Sequence, residues 1–183
     1  MVVREILGLL IPDEGAVFYA ALAVHVTAGM AAVVAGGVAA SARKRPGRHP
    51  RTGTAYLWAL GVVAATAAMM TAFRPREDIH LLAIAVIAFS LALFGRAARR
   101  RRGKDWPTRH AIGMGGSYIA LLTGFYVDNG SQLPLWDRLP HLAYWTLPTA
   151  VGIPLIWWAL RRFRTGISAR PRAAEEPGAP HLP

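Results

Sequence analysis

The sequence predicts an all-α integral membrane protein built as a bundle of five transmembrane helices. Long stretches without Asp, Glu, Lys or Arg alternate with short polar loops, and most of the basic charge lies in every second loop. Since a helix needs about 20 apolar residues to cross the hydrocarbon core of a bilayer, each stretch is expected to form one span. The five stretches are residues 16–42, 52–73, 79–95, 111–127 and 141–160. Residues 16–163 therefore form one transmembrane domain.

Composition and charge agree with a membrane protein. Apolar residues make up 54% of the chain, and its formal net charge is +11. In a soluble protein this charge would suggest nucleic-acid binding. Here the basic residues lie in loops beside apolar stretches, so we expect contact with the lipid bilayer and no nucleic acid. The chain has no cysteine, which excludes disulfides and thiolate metal sites.

The loops also predict an orientation. Basic residues dominate the segments after the first, third and fifth stretches, whereas acids balance them after the second and fourth. The positive-inside rule places the basic segments in the cytoplasm. The N-terminus is then outside, the C-terminus is cytoplasmic, and the chain is a multi-pass protein of the inner or plasma membrane.

The two ends and the last loop are expected to lie outside the spans. Residues 1–15 form a short interfacial segment, in which residues 3–11 are predicted to form a helix that Pro12 stops. Residues 164–183 are rich in Pro, Ala, Arg and Glu and are predicted to be a disordered cytoplasmic tail. Asp128, Asn129 and Gly130 predict a turn before the fifth helix, and the sequence shows no strong internal repeat.

Small residues on two helix faces predict tight packing, because they let helices approach closely. On the first stretch the face holds His25, Gly29, Ala32, Gly36 and Ala40, at steps of three and four. The fourth stretch has a similar face with His110, Gly113, Ser117, Leu121 and Gly124.

Each predicted helix carries one histidine in its span or at its end. These histidines are His25, His49, His80, His110 and His141, and His181 in the tail is set aside. His25 lies inside its span, where an ionisable group is costly and tends to face a partner or ligand. The other four lie near the membrane surface, where each one alone is explained as an interfacial or capping residue.

Together the histidines suggest a haem site. Two imidazoles from different helices at similar depth can bind the iron of a b-type haem. His49 and His110 meet this condition on the inner side. On the outer side His25 would pair with His80 or His141, although it lies deeper by about two turns, roughly 10 Å. Zinc or copper bound by histidines, and a proton or solute path through His25, stay open as alternatives.

The chain resembles the bacterial membrane proteins grouped as domain of unknown function 2306. The resemblance rests on His25, with Gly four residues later and Ala32 and Gly36 on the same face, then a basic loop, then His49, Gly53 and Tyr56. It runs from about His25 to at least Gly95. One departure is Pro50, since the pattern usually has Arg directly after this His, and Arg51 follows one place later. The resemblance implies a membrane location and draws attention to His25 and His49, but it supplies no substrate.

Two classes of function remain. The first is a small electron-transfer protein that carries b-type haem on the five histidines, with a quinone or a redox protein as partner. The second is a cofactor-free accessory subunit, or a carrier of protons or small solutes, either of which can be a homo-oligomer. Transporters usually show a central charged residue or internal repeats, and the sequence shows neither clearly. The chain has no recognisable hydrolase nucleophile motif. The sequence does not decide whether the protein is an enzyme.

Overall fold

The computed structural model describes residues 3–6, 9–12, 15–42, 47–134, 136 and 138–168, with side chains from residue 15 to residue 163 of these ranges. Five long helices dominate the fold, as predicted. They are α1 (Ala16–Ser41), α2 (Arg48–Phe73), α3 (Pro75–Arg101), α4 (Trp106–Asn129) and α5 (His141–Ser168). A short 3₁₀ turn, Gly130–Gln132, follows α4.

Three of these helices, α1, α2 and α3, are long and apolar enough to cross a membrane. This finding supports a membrane protein. Helices α4 and α5 are long enough as well, but they carry more glycine and proline residues than α1, α2 or α3, which lowers their apolar character. Pro148 and Pro154 lie inside α5.

The prediction of an interfacial helix over residues 3–11 was wrong. The segment forms an antiparallel pair of strands, β1 (Val3–Ile6) and β2 (Leu9–Pro12), with Val3 opposite Pro12. An isolated helix of this length is marginal because its first turn is costly to nucleate, whereas Val and Ile favour extended backbone. Pro12 stands at the end of the second strand, where a missing N–H is tolerated.

At the other end of the chain, α5 continues to Ser168. The predicted disordered tail began at residue 164, so its first five residues are helical backbone instead. The rest of the predicted tail, residues 169–183, lies outside the described residues.

The helices pack in chain order, each against the next. Helix α4 also touches α1, which closes α1 to α4 into a bundle, and α5 lies against α4. The core between the helices is made of small and aliphatic residues together with one tyrosine. Its buried members are Ala32, Tyr56, Leu60, Val63, Ala88, Ala92 and Leu121.

The buried residues reveal a repeat that the sequence analysis missed. Ala32, Gly36 and Ala39 are buried on α1, and Ala88, Ala92 and Gly95 are buried 56 residues further on, on α3. His49, Tyr56 and Leu60 on α2 correspond to His110, Ser117 and Leu121 on α4, 61 residues further on. The α1–α2 hairpin and the α3–α4 hairpin therefore form a parallel repeat.

Candidate functional site

His49 and His110 lie side by side at the starts of α2 and α4. Their ring centres are 6.2 Å apart and their planes stand at 81°. Both side chains are partly buried, and the two positions correspond in the repeat. Of the five histidines singled out in the sequence, these are the two that the structure brings together.

The two imidazoles are held in the same way. His49 Nδ1 lies 2.8 Å from the carbonyl oxygen of Ala39, and His110 Nδ1 lies 2.9 Å from that of Gly95. Because a carbonyl oxygen only accepts, Nδ1 carries the proton on both rings, and Nε2 carries the lone pair. Metal-binding histidines are typically fixed in this manner.

Close contact between α3 and α4 allows the His110 hydrogen bond. A Cβ atom on Gly113 would lie 2.6 Å from the backbone nitrogen of Gly95 and 2.8 Å from the carbonyl oxygen of Leu91. Only glycine permits the two backbones to meet at this point. Gly113 lies one turn after His110 on the same helix. The close approach of the two backbones therefore brings His110 Nδ1 within hydrogen-bond distance of the Gly95 carbonyl oxygen.

A buried hydroxyl pair lies two turns further into the bundle. Tyr56 Oη and Ser117 Oγ are 2.6 Å apart, and the two residues are 1% and 0% exposed. Each follows its histidine by seven residues, a rise of about 10 Å. Between them on α2 lies Gly53, where a Cβ atom would meet no heavy atom of a neighbouring element within 4 Å. The space next to Gly53, one turn after His49, is therefore open.

The middle of the bundle is apolar. Leu60, Val63 and Leu121 are buried there with Ala32 and Ala88. This layer separates the polar groups at the end of the bundle that holds His49 and His110, named the inner end after the predicted orientation, from those at the opposite end with His80 and His141, named the outer end.

The three outer histidines lie apart. His25 donates from Nδ1 to Thr66 Oγ1 at 2.9 Å, since the Thr66 hydroxyl itself donates to the Val62 carbonyl. His80 is exposed and faces Trp145, with ring centres 6.2 Å apart. His141 is exposed and contacts Tyr144 of its own helix. Among the described residues, no ring contact joins His25, His80 and His141.

Two carboxylates stand near His80 at the outer end. Asp78 lies 3.8 Å from Arg74, and Asp128 accepts from Asn129 Nδ2 at 3.3 Å. Asp128 and Asn129 of the predicted turn lie in the last turn of α4, and the chain leaves the helix only at Gly130, which begins the 3₁₀ turn. The segment after this turn contacts α5, because Tyr144 donates to the carbonyl oxygen of Trp136 at 2.9 Å.

Within the described residues, no group of three or more His, Asp or Glu could hold a metal ion. A tetrahedral zinc site takes three or four protein ligands, whereas a haem iron needs only two axial ligands. The two histidines at the inner end therefore fit haem better than a bare zinc ion.

Sequence reasoning missed the Tyr56–Ser117 pair and the Gly95–Gly113 contact. A signal for the first was present, because both hydroxyl residues follow a histidine by seven positions. The second had only a glycine on each helix, and nothing in the sequence paired them.

Comparisons of the chain with protein-family models, with curated proteins and with solved structures gave no match. The resemblance to domain of unknown function 2306 therefore stays a prediction.

Proposed function

We propose that the chain is a five-span membrane protein that binds one b-type haem between His49 and His110 and transfers single electrons. One observation carries this proposal. The two imidazoles come from different helices and lie in an edge contact with ring centres 6.2 Å apart, and each donates its Nδ1–H to a backbone carbonyl.

The spacing of the rings suits a shared iron. A metal lies about 2 Å from a histidine nitrogen, and that nitrogen lies roughly 1 Å from the ring centre, so two rings on opposite sides of one ion have centres about 6 Å apart. The measured 6.2 Å agrees with this value.

The surroundings also suit a flat macrocycle. The open space at Gly53 lies one turn from His49 on the same helix face. The Tyr56–Ser117 pair lies about 10 Å from the histidines, toward the middle of the bundle. His49, Gly53 and Tyr56 are also three residues of the family motif, and we keep that resemblance as part of the proposal.

Haem, when bound, supplies a one-electron couple. The chain holds the two imidazoles in one tautomer through Ala39 and Gly95, and these hydrogen bonds make Nε2 a better donor to a metal. Leu60 and Leu121 are buried on the side of the site that faces the middle of the bundle. Its electron partners are a membrane quinone or a redox protein, since the loops carry no flavin or nucleotide motif.

The orientation in this proposal has the N-terminus outside and the C-terminus in the cytoplasm, in the inner or plasma membrane. The arginines at the end of α5 support it. Arg161 lies 3.4 Å from the ring centre of Trp157, and Arg162 lies 4.7 Å from that of Trp158. Trp and Arg at the end of a span are typical of the boundary with the cytoplasm.

The competing class is a cofactor-free accessory subunit or a carrier of protons or small solutes. A carrier that used His25 would need a polar path to the inner side. The apolar layer of Leu60, Val63 and Leu121 lies across that route. This observation favours the haem proposal over the carrier.

An absorbance spectrum tests the proposal. The full chain is expressed with added haem precursor, purified in mild detergent and measured oxidised and dithionite-reduced. We expect a sharp reduced α-band that His49→Ala and His110→Ala each abolish. His80→Ala is the matched control, because His80 is exposed and outside the proposed site, and it keeps the band.

Circular dichroism of each variant shows whether the helices persist. A featureless spectrum from the unaltered chain contradicts the proposal. So does a band that survives in both the His49→Ala and the His110→Ala variants.

A further inference from the structure

Arg96 lies beside the proposed haem site. It directly follows Gly95, whose carbonyl oxygen accepts the hydrogen bond from His110 Nδ1. Its guanidinium Nη1 lies 3.5 Å from Thr54 Oγ1, on the helix that carries His49. The side chain therefore joins α3 to α2 within about two turns of both histidines.

The position of Arg96 is unusual among the basic residues at the inner end of α3. Arg99, Arg100 and Arg101 are exposed, whereas Arg96 is deeper along the helix and partly buried. A partly buried cation is costly unless an anion meets it. Within the described residues Arg96 makes no ion pair, and its contact is the neutral hydroxyl of Thr54.

Arg96 also breaks the repeat. The corresponding position on α1 is Ala40, and the position on α4 that corresponds to Thr54 is Gly115. The fold thus places a positive charge on one side of a site whose two histidines are equivalent. Packing of the repeat does not require this charge, because the other hairpin lacks it.

We propose that Arg96, with Thr54, binds a propionate carboxylate of the haem. The inference rests on the proposed function. Haem b is neutral and apolar over most of its surface, but it carries two propionate carboxylates. A guanidinium matches a carboxylate with two parallel hydrogen bonds, and the Thr54 hydroxyl adds a further donor. The side of the macrocycle that bears the propionates therefore faces the α2–α3 gap.

Haem affinity, with and without the propionate charge, tests this contact. The full chain is purified in detergent without haem, and is titrated with haem b and with its dimethyl ester. We expect Arg96→Gln to weaken haem b binding about tenfold, which corresponds to about 1.4 kcal/mol. The ester has no carboxylate, so it should bind the unaltered chain and Arg96→Gln equally well.

Two further variants complete the test. Arg101→Gln removes the same charge from an exposed position of the same helix, and we expect it to leave the haem b affinity unchanged. Arg96→Lys keeps the charge without the planar fork, and we expect an affinity between those of the unaltered chain and Arg96→Gln.

The outcomes separate the contact from the site. If the unaltered chain binds neither haem b nor the ester, the proposed function itself fails and the Arg96 contact fails with it. If haem b binds and depends on His49, but Arg96→Gln binds it as the unaltered chain does, only the Arg96 contact fails. Equal weakening of haem b and the ester by Arg96→Gln also overturns the contact, since it shows a structural role.

Discussion

The inner and outer ends of the bundle use the same residue type with different results. At the inner end, His49 and His110 stand at corresponding positions of two hairpins and meet across the bundle. At the outer end, His25 is bound to a threonine of the next helix, and His80 faces a tryptophan of α5. A histidine on each helix is therefore not enough to make a site.

The difference comes from register. His49 and His110 each precede their buried leucine, Leu60 or Leu121, by 11 residues. His25 precedes Ala39 by 14 residues, whereas His80 precedes the corresponding Gly95 by 15. A shift of one residue turns a side chain by about 100° around a helix. The outer histidines thus point in different directions, and the repeat forms one symmetric site rather than two.

The largest expected effect comes from the glycine contact that supports the inner site. Gly113→Ala would put a Cβ atom 2.6 Å from the Gly95 backbone, which cannot rotate away. We expect a loss of about 3 kcal/mol in the free energy of unfolding, at the upper end of overpacking costs. Reversible unfolding in mixed detergent micelles measures it.

Gly53→Ala is the matched control for this change. A Cβ atom there meets no neighbouring element within 4 Å, so stability should stay equal or rise by up to about 1 kcal/mol from helix propensity. Equal losses from the two alanine substitutions would mean that α3 and α4 do not meet at Gly95 and Gly113.

A smaller effect is expected from the buried hydroxyl pair. Ser117→Ala leaves the Tyr56 hydroxyl buried without its hydrogen-bond partner, and we expect a loss of about 2 kcal/mol in unfolding free energy. Tyr56→Phe should cost less, because the Ser117 hydroxyl can turn to a carbonyl of its own helix. The double variant removes both polar groups and should be more stable than Ser117→Ala alone.

Ser90→Ala, at an exposed serine of α3, controls for the substitution itself. A double variant whose loss equals the sum of the two single losses would show that the hydroxyl groups do not interact.

The smallest effect tests the outer end. Thr66→Val removes the acceptor of His25 while keeping the shape of the side chain, and we expect a loss of about 1 kcal/mol in unfolding free energy. The reduced α-band should not change, because His25 is not a ligand in this account. Thr27→Val is the control, since Thr27 also bonds a carbonyl of its own helix but is exposed. A lost or shifted band in Thr66→Val would return His25 to the haem site.

Much of the fold follows from the sequence alone. The five stretches without charged residues predicted the positions of the five helices, and each stretch coincides with the central part of one helix from α1 to α5. The N-terminal hairpin did not follow, because residues 3–11, six of which are Val, Leu or Ile, are compatible with either helix or strand, and pairing between the two halves decided it.

The site was predictable in part. Depth along a helix can be counted from the sequence, and it paired His49 with His110. The direction in which a side chain points relative to a neighbouring helix cannot be derived from the sequence when the shape of the connecting loop is unknown. His25, His80 and His141 therefore remained candidates until the structure showed them apart. The contact of Arg96 with Thr54 joins residues 42 positions apart, and no local pattern announces it.

The number of haems per chain tests the central claim most directly. Haem is measured by its pyridine complex and protein by amino-acid analysis on the same purified sample. Because the proposed site lies at the inner end and the outer histidines do not meet one another among the described residues, we expect a ratio close to one haem per chain. A ratio close to two would mean that the outer histidines also bind haem and contradict the account, and so would a ratio of zero after expression with added haem precursor.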